Sequence, residues 1–174
     1  MFTGKQKLTR FLVIMAAGIG LDQLTKILAW TNLKGQPDID FFGDLFVLTY
    51  AENDGAFLSM GSGLPEFLRV ALLIILPLAV IGGIVWYLLR SKKVGSIEFW
   101  ALSLVAAGGL GNMIDRIIYG AVVDFMNMGI GSLRTGIFNV ADMLIMAALG
   151  LFIVMFIKGS RKKSTEEVPE ESGT

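Results

Sequence analysis

The sequence predicts an all-α membrane protein: four transmembrane helices with a small extracytoplasmic β-structured cradle and a short interfacial helix. Three observations predict it. Hydrophobic residues make up 54% of the 174-residue chain and the mean hydropathy is +0.67, more apolar surface than one soluble core of this size can bury. Four segments, 11–30, 67–89, 99–118 and 140–157, approach the roughly 20 apolar residues that cross a hydrocarbon core about 30 Å thick. Bases and acids balance at 15 each, yet they occupy different parts of the chain.

The first span follows Lys5, Lys7 and Arg10. Its basic start and "MAAG" are ingredients of a cleaved signal peptide. The apolar run continues through "LDQLTKILAW", however, and removing it leaves an odd number of spans with basic flanks on conflicting sides, so a retained helix is the better reading. Arg90, Lys92 and Lys93 follow the second span, and Lys158, Arg161, Lys162 and Lys163 follow the fourth. The positive-inside rule then makes these flanks and both termini cytoplasmic. Connections 31–66 and 119–139 hold only Lys34 and Arg134 against Asp38, Asp40, Asp44, Glu52, Asp54, Glu66 and Asp124, and so face outside. Within the first of them, "FFGDLFVLTYA" is aromatic, β-branched and free of proline, which predicts one or two short strands. "NDGAFLSMGSGLP" then opens with a turn signal and continues as an apolar piece too short to span, which predicts a helix lying along the membrane surface. Residues 1–158 form a single membrane-embedded domain on this reading, and the polar, charge-mixed tail 159–174 a disordered cytoplasmic extension.

The chain has no cysteine and no histidine, which excludes disulfides, thiolate nucleophiles, imidazole bases and ordinary zinc sites. Ionisable residues inside spans are costly and call for a function or a partner. They include Asp22, Lys26, Asp115, Arg116 and Asp142. Asp22 and Lys26 are spaced i, i+4, as in an intrahelical ion pair. Asn112, Asp115 and Arg116 share one face near the outer end of the third span, where Arg116 has the alternative of snorkelling to the interface. Asp142 follows Asn139 in "FNVAD", an arrangement that also suits a helix N-cap. Topology brings Asp115, Asp124 and Asp142 to one level, and Gly108, Gly109 and Gly111 allow close helix approach beside them.

Two carboxylates within reach of each other cannot both ionise cheaply, so one holds a proton while the other acts as base on water, without a metal. Asp142 has two possible partners. Arg116 beside Asp115 should keep that carboxylate ionised, whereas Asp124 lies beyond "IIYG" in a segment free to fold back toward the fourth span. A serine activated by Lys26 is the other hydrolytic route, with Ser59 or Ser103 as nucleophile, but no spacing links them. A proton relay through Asp22, Asp115 and Asp142 would make the chain a transporter; that needs ionisable groups on both sides of the midplane, and the cytoplasmic halves of spans two to four lack them. A non-catalytic assembly factor is the third class, and it requires no matched aspartates.

"DQLTK" (22–26), "NDGAF" (53–57), "GGLGNMIDR" (108–116), "VVDF" (122–125) and "FNVAD" (138–142) together resemble the lipoprotein signal peptidases, or signal peptidase II, a family of four-span aspartyl proteases. The matches keep the family's order and cover all but the tail. The resemblance implies an aspartic endopeptidase of the bacterial cytoplasmic (inner) membrane, with its site at the outer face. It would cleave a prolipoprotein before a cysteine bearing a diacylglyceryl group, using water activated by an aspartate dyad. The implied catalytic pair is Asp124 and Asp142, supported by Asp22, Lys26, Asn53, Gly55, Asn112, Asp115, Arg116, Asn139 and Ala141. Implied partners are the prolipoprotein and membrane lipid, with no nucleic acid, no metal and no cofactor. A β-structured cradle and a mobile short helix over the site also belong to the family. Met143 departs from the family, where a small or polar residue commonly follows the motif aspartate. The helix dipole at Asp142 favours its charged form, which leaves the proton to Asp124.

Overall fold

The computed structural model describes residues 4–55, 63, 65–91 and 93–166. In chain order the elements are α1 (Gly4–Asn32), β1 (Ile39–Phe41), β2 (Phe46–Asn53), α2 (Glu66–Arg90), α3 (Ser96–Tyr119), β3 (Val122–Ile130), β4 (Leu133–Arg134) and α4 (Val140–Glu166). Each helix is long and apolar enough to cross a membrane, in the four places hydropathy predicts.

Two helix ends differ from the predicted ones by more than a turn, each for a physical reason. α1 starts at Gly4 and takes its basic flank into the helix, where buried Lys7 donates from Nζ to Ser91 O (2.8 Å) just past the last turn of α2. That cation answers the partial negative charge at a helix C-terminus. α4 runs on to Glu166, past the boundary at 158 that composition suggested. Extending an existing helix avoids a new nucleation cost, and Arg161, Lys162, Lys163 and Glu166 offset the poorer helix formers Gly159, Ser160, Ser164 and Thr165. Residues 167–174 of the expected tail lie outside the described residues, as do 56–62 and 64, which hold most of the expected interfacial helix.

α2 contains a π turn, Ala71–Ile75, in which the Leu76 N–H donates to Ala71 O. Pro77 follows directly. Proline has no N–H to give to Leu73 O and its ring crowds that carbonyl, and the wider turn relieves both problems. α3 begins where the Glu98 side chain accepts the Gly95 N–H (3.3 Å), and ends at Gly120, whose φ of +78° suits glycine.

α3 is the central helix and packs against the other three. Phe99, Ala101, Ala106, Ala107, Gly108, Gly111 and Met113 are buried along it. Phe11 and Ile14 of α1 and Ile81 and Leu88 of α2 join Phe99 and Met113 in one apolar cluster. Against α4 the packing is closer still. A Cβ on Gly108 would stand 2.4 Å from Ala141 O, so only glycine admits the first turn of α4 at this distance.

The strands form one antiparallel sheet in the order β1-β2-β3-β4 at one end of the bundle. β1 and β2 fall in the stretch where strands are predicted. β3 and β4 were not foreseen, because "VVDFMNMGI" is interrupted by Asp, Asn and Gly and lacks a regular alternation. Ala29 of α1 and Leu33 just beyond its end pack with Phe125 and Met126 of β3, with Phe46, Leu48 and Val140 around them. This second cluster fixes the sheet to the ends of α1 and α4, and so sets Asp124 on β3 beside the start of α4.

Candidate active site

The geometry begins with a helix cap. Asn139 Oδ1 accepts the Asp142 N–H (3.0 Å) and Asp142 Oδ2 accepts the Asn139 N–H (3.1 Å), a reciprocal capping box at the start of α4. The cap leaves Asn139 Nδ2 and Asp142 Oδ1 free for other work. Buried Asn139 donates from Nδ2 to Asp124 Oδ1 (2.6 Å) and to Asn112 Oδ1 (2.9 Å), and Asn112 Nδ2 donates to Asp142 Oδ1 (2.9 Å). Asn139 therefore both caps α4 and joins the two carboxylates.

Asp124 sits on β3 opposite Ala51 of β2 and is 4% exposed. Its Oδ2 accepts a hydrogen bond from Asn53 Nδ2 (3.0 Å), and Asn53 Oδ1 accepts the Gly55 N–H (3.1 Å). Burial pushes the Asp124 carboxyl up to about 6, and the Asp142 charge adds to the rise, while the Asn53 and Asn139 amides and the Lys26 charge oppose it. Asp142, at the helix N-terminus, is partly open.

Behind this pair lies a buried ionic cluster. Lys26 Nζ stands 2.8 Å from Asp22 Oδ2, 2.8 Å from Asp115 Oδ2 and 2.9 Å from Asn112 Oδ1. The i, i+4 pair expected on α1 is present, and it reaches across to α3. Asp22 Oδ1 accepts the Ala141 N–H (2.8 Å), a second cap on α4 that ties its first turn to α1 through the Ala141 backbone. The cation beside Asp115 is Lys26. Arg116, expected in that part, turns away and donates to Gly55 O (2.8 Å) and Asn112 O (3.4 Å), because i and i+1 on a helix point in different directions.

Gln23 was missed by the sequence reading. It donates from Nε2 to Asp115 Oδ1 (2.8 Å) and Gly111 O (3.2 Å), helping to hold Asp115 against α1. Its place inside "DQLTK" was the only signal. The Ser–Lys alternative finds no support among the described residues: Lys26 is engaged by two carboxylates, and buried Ser103 donates to Phe99 O (2.7 Å). Ser59 lies outside the described residues.

The sequence model of the signal peptidase (SPase) II family matches residues 14–158. The chain belongs to the signal peptidase II family. Among its signal peptidase II relatives, the lipoprotein signal peptidase of Clostridium acetobutylicum is 34% identical over 83% of this chain and 93% of its own length. That of Chlorobaculum tepidum is 38% identical over 76% of this chain and 83% of its own. A bacterial membrane enzyme solved by the in meso method at 2.3 Å resolution superposes with a TM-score of 0.76 at 25% identity, covering 95% of each chain. As a signal peptidase II with four apolar spanning helices, the chain is a multi-pass membrane peptidase of the aspartic type.

Proposed function

We propose that this peptidase removes the signal peptide from prolipoproteins by cleaving before a diacylglyceryl-modified cysteine, with Asp124 and Asp142 as the catalytic dyad. One observation carries the assignment. Asn139 is bonded to both carboxylates, while the third candidate, Asp115, is bound by Lys26 and Gln23. In the reaction, ionised Asp142 takes a proton from water as the oxygen attacks the scissile carbonyl, and Asp124 gives its proton to the carbonyl oxygen. The tetrahedral species collapses as Asp142 returns its proton to the leaving nitrogen, and Asp124 regains one from the collapsing hydroxyl. Asn53, Asn112 and Asn139 orient the carboxylates, and Arg116 holds the loop at Gly55 beside them. Asp22, Lys26, Asp115 and the backbone of Ala141 brace the start of α4.

The substrate suits this location, since a signal helix and a lipidated cysteine are both membrane objects. The basic flanks lie at the end of the bundle away from the sheet, which supports cytoplasmic termini and a site at the outer face. The test is cleavage of one prolipoprotein peptide, lipidated and unlipidated, by purified protein in detergent. Only the lipidated peptide should be cut. Asp124→Asn and Asp142→Asn should each reduce turnover to background while the variants stay folded and bind substrate, and the double variant should be hardly worse, as for groups acting as one unit. Ample turnover by Asp124→Asn, beside a folded but inactive Asp115→Asn, would move the dyad to Asp115.

A further inference from the structure

Side chains alternate across a strand, so the β2–β3 ribbon has a second face. Ala51 pairs with Asp124, whereas Glu52 pairs with Val123 and points the other way. On that second face lies a cavity of about 300 Å³ between the sheet and the ends of α1 and α3. Gln23, Lys26 and Asp115 form its floor, where they are already bonded to one another. Its walls include Ile27, Trp30 and Tyr119, which are 55%, 55% and 70% exposed. At the rim Lys34 Nζ stands 2.7 Å from Glu52 Oε1, the Tyr50 hydroxyl donates to the same oxygen (2.7 Å), and Lys34 Nζ lies 5.3 Å from the Tyr50 ring centre.

We propose that this cavity binds a bilayer lipid, a zwitterionic glycerophospholipid with a primary amine. Its phosphate meets Lys34, its ammonium meets Glu52 and the Tyr50 ring, and an acyl chain runs along Ile27 and Trp30. The level is right for a headgroup, since Lys34 lies two residues past the end of the α1 span at Asn32 and tryptophan and tyrosine gather at membrane interfaces. Charge selects the class. The rim presents one cation and one anion, and its half-exposed pair can exchange partners at little cost. Lys34 and the Tyr50 hydroxyl hold the Glu52 carboxyl below its ordinary value, so the rim anion is charged before the lipid arrives. An anionic headgroup would face that carboxylate, and an uncharged diacylglycerol would satisfy neither group. A bound lipid would rest on the floor residues that brace α4, apart from the aspartate pair on the other face of the ribbon.

The experiment is native mass spectrometry of the delipidated full chain in a non-phospholipid detergent, with phosphatidylethanolamine and phosphatidylglycerol of identical acyl chains in equal amounts. We expect a single phosphatidylethanolamine adduct in several-fold excess over phosphatidylglycerol. Glu52→Gln should erase the preference, and Ile27→Trp, which fills the cavity from an exposed position, should remove the adduct while circular dichroism stays helical. Equal adducts in the unaltered protein, an unchanged preference in Glu52→Gln, or full retention by Ile27→Trp would each overturn the proposal.

Discussion

A carboxyl that keeps its proton to about 6 imposes a pH dependence of definite sign. The value lies above the ordinary aspartate value near 4, so the folded protein holds that proton more tightly than the unfolded chain does. The associated stability is complete below about 4 and is lost as pH rises through about 6. Activity that depends on a singly protonated pair should fall over the same rise, giving kcat/KM an alkaline limb near 6. Asn53→Ala removes a donor that favours the charged form, so the limb should move to higher pH; a limb that stays in place would remove Asp124 as the proton holder. Lys26 offers a different test. It is 3% exposed between Asp22 and Asp115, and Lys26→Met would leave two buried carboxylates without their cation, at a cost of about 3–5 kcal/mol read by thermal unfolding. At this scale the sequence was legible where partners are close along the chain. Asn139 with Asp142 and Asp22 with Lys26 follow from helix spacing. Gln23 with Asp115 and Arg116 with Gly55 do not, because spacing on one helix says nothing about which neighbour it meets.

Among the elements, the contact of α3 with the first turn of α4 is the tightest constraint on the site. Gly108→Ala would put a methyl group 2.4 Å from Ala141 O and 2.9 Å from Ile145 Cγ1. Backbone has to move, so the cost should be about 1–3 kcal/mol, with turnover reduced because Asp142 is in the turn that shifts. Gly82→Ala is the matched control: nothing lies within 4 Å of the added atom, and stability should hold or rise slightly. A Gly108→Ala protein as stable and active as the parent would show that α3 and α4 adjust to each other freely. Apolar length alone announced the helices. The strands were half legible: β1 and β2 are aromatic and β-branched, while β3 takes its extended form from pairing with β2, a tertiary override that local composition does not carry.

For the whole molecule, composition makes the broadest prediction. With no histidine or cysteine, and with the site carboxylates engaged by amide and ammonium donors, the chemistry is complete without a metal. Exhaustive chelation should therefore leave the cleavage rate unchanged, and a rate restored only by an added divalent cation would refute the mechanism. The proposed orientation rests on charge segregation along the chain, and the proposed site on the five motifs. The cavity on the second face of the ribbon was not legible, since it arises from Lys34, Tyr50 and Glu52 meeting across a turn and a sheet.

The ion pair within α1 also bears on how the chain is made. A ribosome delivers α1 to the bilayer before Asp115 of α3 and the Ala141 N–H of α4 exist, yet those later groups are the final partners of Lys26 and Asp22. Because Asp22 and Lys26 stand one turn apart on the same helix, they neutralise each other while they wait. The first span can then insert without a bare charge, and the pair stays closed at 2.8 Å while Asp115 and the Ala141 N–H add to it as their helices arrive. On the proposed assignment the carboxylate pair is assembled only by the last insertion, because Asp142 stands in the first turn of α4.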